Sequence, residues 1–163
     1  MRPILFILYL LIPTVITAQV NYGTPSKGEI PPELKNIPVG IEVMHFPKIN
    51  DPIKIKDTYY WKHATGILSK NDTVTITEFG AYLYYNDQWN LRKTYKLKEL
   101  DQFFGTKKQV LPQGQPQVWT KNWRVGNQLY GGWALWYFIG KDSNGKTVCG
   151  YATIHTTENL LNK

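Results

Sequence analysis

Three histidines, one cysteine and a dense set of aromatic rings are the side chains with chemistry to offer in this chain. Two strand-like runs, 58–68 and 73–85, are joined by Ser69-Lys70-Asn71-Asp72. Turn-forming residues between two β-rich runs predict a hairpin. A turn centred on Lys70-Asn71 sets Ile67 opposite Val74, Thr65 opposite Ile76 and His63 opposite Glu78, with Trp61 facing Gly80 and Tyr59 facing Tyr82. Strand side chains alternate with period two, so all ten fall on one face. On that mostly apolar face a carboxylate beside an imidazole would raise its pKa and orient its ring. Such a pair serves general acid/base catalysis or the support of a metal ligand. The competing explanation is a structural polar pair, and a slip of one residue in register would abolish it.

A second hairpin is signalled at Asp142-Ser143-Asn144-Gly145, between runs 129–140 and 146–156. Asn-Gly suits the positive φ angles of a type I′ turn. Pairing Ser143 with Lys146 sets Ala134 opposite His155, Trp136 opposite Thr153, Phe138 opposite Tyr151 and Gly140 opposite Cys149. Trp61, Tyr82, Trp136 and His155 are the candidate ligand-binding residues, weighed against simple core packing. Cys149 lies in an apolar strand pattern and reads as a buried, inert thiol. A copper site from His63, Cys149 and His155 is disfavoured because no Met follows His155 to serve as the axial ligand. No metal and no cofactor is expected.

The sequence contains no GxSxG elbow, HExxH, P-loop, dinucleotide fingerprint or EF-hand loop. Arg92, Lys93, Lys96, Lys98, Lys107 and Lys108 cluster around one helical candidate, with Trp89 and Tyr95 interleaved. They read as a solvated face, with an anionic partner as the alternative. Asn122-Trp123-Arg124 and 131–137 are dense in Trp, which suits either a core or a stacking strip.

The elements that must position these residues follow from length and pattern. The chain has 163 residues, 42% hydrophobic and 14% aromatic, with net charge +7, which fits one globular domain. A lone cysteine excludes an internal disulfide and a multi-cysteine zinc site. Arg2, the apolar run from Ile4 to Ile12 and the small residues before Gln19 have the layout of a signal peptide, with cleavage expected near Ala18. Residues 19–38 carry four prolines and two glycines and read as an extended leader. Residues 39–163 form the single β-rich domain. Its strands include 39–44, ended by Pro47, and an edge strand around Ile53 and Ile55. Apolar residues at intervals of three and four over 96–104, followed by Gly105, predict one short helix. About seven short strands and one helix predict a mainly β fold, a small antiparallel sandwich or a partly open barrel.

These features point to an exported protein, periplasmic or secreted and not membrane-spanning. The preferred function is a non-enzymatic binding or interaction module for a glycan, a small ligand or an envelope protein. Export argues against nucleic acid as a partner. The alternative is a periplasmic hydrolase or metal-dependent enzyme built on His63 and Glu78. A third role is an assembly subunit that docks through 19–38.

Overall fold

The computed structural model describes residues 21–161, and the expected signal peptide at 1–18 lies outside the described residues. The chain is mainly β, 50% strand and 8% helix, built on a curled half-barrel sheet with other antiparallel sheets and one short helix. Along the described chain the strands are β1 (Glu42–Phe46), β2 (Ile49–Asn50), β3 (Ile53–Ile55), β4 (Thr58–Trp61), β5 (Ala64–Leu68), β6 (Val74–Tyr85) and β7 (Gln88–Thr94). After helix α1 (Leu97–Phe104) come β8 (Val110–Leu111), β9 (Gln117–Trp119), β10 (Arg124–Gly126), β11 (Gly132–Lys141) and β12 (Thr147–Thr156). The number exceeds the expected seven because five of these strands are only two or three residues long, and because 58–68 breaks in two at Lys62-His63.

The largest sheet runs β2-β12-β11-β6-β7, with β8 also paired to β6. Two smaller sheets, β1-β5-β9 and β10-β4-β3, are antiparallel throughout. Alternation along the long strands gives the large sheet two apolar faces. The inner face carries Phe79, Ala81, Trp136 and Phe138, packed with Ile67 of β5 and with Leu100 and Phe104 of α1. The outer face carries Tyr82, Tyr84, Leu135 and Tyr137. A sheet apolar on both sides needs a cover on both sides. On the outer face that cover is the Pro-rich segment. Leu34, in a single 3-10 turn at Pro32–Leu34, is 1% exposed there. The Trp89 indole N–H donates to the Glu29 carbonyl at 3.1 Å, and the Tyr84 hydroxyl donates to the Glu29 carboxylate at 3.3 Å.

Helix α1 lies where the periodicity puts it. Gly105, with φ of 72°, ends it in a left-handed cap, and the Glu99 carboxylate accepts the Lys96 backbone N–H at 2.8 Å. The first expected hairpin does not form. β5 pairs with β1 on one side and β9 on the other, while β6 pairs with β11, β7 and β8. Both edges of both strands are therefore used, and 69–72 is a connection between sheets. The second hairpin forms, but its register is one residue from expectation. Ala134 pairs with Ile154, Trp136 with Ala152, Phe138 with Gly150 and Gly140 with Val148. The cause is the loop. The Asp142 N–H donates to the Lys146 carbonyl and Gly145 takes φ of 77°, so three residues rather than two make the turn. Sequence reasoning missed the β6–β7 hairpin, whose two-residue turn is Asn86-Asp87, both at positive φ.

No helix among the described residues is long and apolar enough to cross a membrane.

Candidate functional site

Small residues on the inner face open a cavity. Ala81, Ala134, Leu83 and Ile154 line it together with the rings of Trp136, Tyr95 and Trp119. Those rings support one another. Tyr95 stacks on Trp136 with centroids 5.4 Å apart, and Trp119 meets Trp136 edge-on at 5.5 Å. Phe103 of α1 stacks on Trp119 at 4.1 Å, so the helix fixes the cavity wall. The cavity volume is about 220 Å³.

One histidine, His63, lines it, a second, His45, packs against His63, and the fold determines their states. The His45 Nε2–H donates to the Ala152 carbonyl at 3.2 Å, which leaves Nδ1 to accept the Thr65 hydroxyl at 2.9 Å. Thr65 Oγ1 in turn accepts the Asn122 amide at 2.8 Å. Burial is the main influence lowering the His45 pKa to about 4. His63, in the break between β4 and β5, is likewise lowered to about 4 by burial. Its ring meets that of His45 edge-on at 5.8 Å. His63 Nδ1 lies 3.3 Å from the Asn50 amide nitrogen and 3.4 Å from the Trp61 carbonyl. His63 Nε2 has no partner although the residue is only 6% exposed, and His63 lines the cavity. It is the one buried side-chain polar atom of the described residues left in this state. An unsatisfied buried polar group costs about 1–3 kcal/mol, so its retention beside a cavity calls for a ligand or water.

Arginines line the mouth. Arg124 opens β10 opposite Trp61 of β4. Its guanidinium carbon lies 4.7 Å from the Trp61 ring and 4.2 Å from the Tyr130 ring, and Nη1 donates to the Thr156 hydroxyl. Arg92 lines the cavity too. It is the extra residue of a β-bulge, since Ala81 pairs with Lys93 and Tyr82 with Leu91. Bulges re-aim side chains out of the alternating pattern. Among the described residues, no Asp or Glu lines the cavity.

The predicted site residues are scattered across this plan. His63 and Trp136 line the cavity. Trp61 is fully buried behind Arg124, its indole N–H donating to the Thr157 carbonyl at 2.8 Å. His155 stacks on Trp133 at 4.5 Å. The pairing of His63 with Glu78 is overturned. Glu78 is exposed and turned the other way along β6, where it accepts the Tyr137 hydroxyl at 2.7 Å. Burial raises the Tyr137 pKa well above its ordinary value, and Glu78 adds to the shift. Tyr82 is also corrected: it is buried on the outer face, 5.3 Å from Tyr137, under the Pro-rich cover. The Cys149 thiol is buried, donates to the Ile37 carbonyl at 3.3 Å and has its pKa raised by burial. Arg124, Asn122 and Tyr130 were not singled out as site residues. The one hint was the stretch Asn122-Trp123-Arg124, whose cation sits beside rings supplied by β4 and the loop before β11.

Among the described residues, no group of three or more His, Cys, Asp or Glu is gathered as metal ligands would be. Comparison with protein-family models, with curated proteins and with solved structures found no match.

Proposed function

We propose that this is a non-enzymatic binding module of an exported protein, which holds a small molecule in the cavity on the inner face of its half-barrel. The observation that carries this reading is the unpartnered His63 Nε2 beside an aromatic-walled space. A mostly apolar cavity with a few convergent polar groups is the usual form of a ligand site. A small ligand is favoured over a glycan because Trp136, against which Tyr95 and Trp119 pack, is buried, whereas sugar rings stack on open aromatic strips. The hydrolase alternative loses its support, since His63 is buried in the break between β4 and β5 while Glu78 is exposed on β6 and held by the Tyr137 hydroxyl. Export rests on the sequence pattern at 1–18 alone.

The test is native mass spectrometry on protein made from the full coding sequence and collected after export, paired with Ala134→Leu. Ala134 is half-buried in the cavity lining, and the larger side chain fills the space. The wild-type protein should carry a small-molecule mass excess, or be stabilised by members of a small-molecule library in a melting assay. Ala134→Leu should lose both effects while keeping its circular dichroism spectrum. A library that shifts both proteins equally would sink the cavity as the site.

A further inference from the structure

The polar groups around this cavity are unbalanced in one direction, and that imbalance identifies a ligand class. Arg124 is half-buried and fixed on three sides, by the Trp61 ring, the Tyr130 ring and the Thr156 hydroxyl. The Thr156 hydroxyl is itself committed, donating to the Gly132 carbonyl at 3.1 Å. A guanidinium has five N–H donors in a planar fork, and a single one of them meets Thr156. The ion pairs of the described residues join Lys70 to Glu42 and Lys93 to Glu99, and neither carboxylate lines the cavity. The second cation at the mouth, Arg92, is close enough to Tyr95 to oppose the rise that burial gives its hydroxyl pKa. His63 adds to the same side. Its Nε2 has nothing to meet within the protein. Arg124 held in place, Arg92 beside it in the lining and the unpartnered His63 Nε2 border a space to which no carboxylate of the described residues contributes. Stacked, pre-organised arginines favour planar carboxylates, which take two N–H bonds at once.

We propose that the cavity selects small ring-bearing carboxylic acids, with the carboxylate on the Arg124 fork and the ring among Trp136, Tyr95 and Trp119. The inference rests on the small-ligand reading above and adds the charge and shape of the ligand. A volume of about 220 Å³ suits one or two fused rings. A larger groove of about 840 Å³ between 24–30 and β1 is more open and holds no unpartnered buried group among the described residues.

The experiment compares 2-naphthoate with 2-naphthamide by titration calorimetry on the wild-type protein and on Arg124→Gln. The two probes share a ring and differ in charge. The acid should bind about ten- to a hundredfold more tightly than the amide, the range set by charge-assisted hydrogen bonds. Its affinity should fall as salt is raised, and Arg124→Gln should bring acid and amide within about threefold of each other. Equal binding of acid and amide to the wild-type protein would overturn the carboxylate proposal and leave the cavity reading standing. Binding of neither probe, with no response to Ala134→Leu, overturns both. If Arg124→Gln does not fold, the acid-to-amide ratio and its salt dependence in the wild-type protein decide the matter.

Discussion

Neutral histidines in a protein interior store a pH dependence. His45 and His63 each have a pKa lowered from 6.5 to about 4, with burial as the leading cause. At pH 7 both rings are neutral in the folded protein and mostly neutral in the unfolded chain, so they make stability depend only weakly on pH there. Between pH 6.5 and about 4 the unfolded chain binds protons that the folded protein refuses. Stability therefore falls as pH drops through that window, by about 1 kcal/mol per pH unit for each ring, and this contribution levels off below it. Chemical denaturation at pH 7, 6 and 5 should show the decline. His63→Gln should roughly halve the part of the slope due to these two residues. An unchanged slope in that variant would mean that His63 takes up its proton without leaving the fold. The residue scale also explains what sequence could foresee of the site. His63 and Trp136 are conspicuous as a polar and an aromatic residue in apolar strands, and both line the cavity. Arg124 gives no such local sign. Its meaning comes from Trp61 and Tyr130, which only the paired strands bring to its two sides.

At the scale of elements, turn chemistry decides which strands meet and in what register. The β11–β12 loop illustrates how much rests on one residue. Gly145 sits at φ of 77°, the Asp142 side chain accepts the Asn144 and Lys146 N–H groups, and Asp72 accepts the Ser143 N–H and hydroxyl from outside the hairpin. A side chain at a left-handed position costs about 1–2 kcal/mol. Gly145→Ala should lower stability by about that amount without changing the register, because Asp142 and Asp72 still hold the loop. The check is the urea midpoint, together with unchanged amide shifts along β12. Local signals of this kind were legible where one turn or cap closes an element on its own neighbours, as with Gly105 after α1 and Asn144-Gly145 between β11 and β12. They failed in two ways. Asn86-Asp87 makes a tight turn without glycine, so the β6–β7 hairpin was invisible. Conversely, the turn-like 69–72 joins strands that have better partners elsewhere. Nothing in 64–68 announces that its neighbours are 42–46 and 117–119, because that choice belongs to tertiary packing. The lost His63–Glu78 pair is the direct consequence.

At the scale of the whole molecule, the question is what the Pro-rich segment contributes. A leader that merely precedes the domain could be removed without effect, and a docking arm would lie free. The described part, 21–38, does neither. Leu34 and Ile30 pack against the outer face of the large sheet, and Glu29 meets both Trp89 and Tyr84. Pro38 then starts the crossing onto β12. Its carbonyl accepts the Cys149 N–H at 2.8 Å, and the Gly40 and Ile41 N–H groups return bonds to the Cys149 carbonyl. This crossing lies so close that a Cβ on Gly150 would sit 2.3 Å from the Ile41 carbonyl oxygen. The segment therefore acts as the third layer of the domain, built without strand or α-helix because prolines supply an extended chain with few N–H groups to satisfy. Removal of residues up to 37 would uncover Tyr82, Leu135 and Tyr137, all buried in the intact protein. An apolar sheet face left open promotes association. The truncated protein should melt earlier, bind a hydrophobic dye and associate in sedimentation. Leu34→Ala is the finer probe of the same layer. Loss of a fully buried leucine costs about 2–5 kcal/mol, which for a domain of this size lowers Tm by on the order of 10 °C. Because Leu34 lies across the sheet from the cavity, naphthoate affinity in this variant should stay near the wild-type value while the fold persists. A truncated protein with the melting temperature of the intact one would return the segment to the role of a detachable arm.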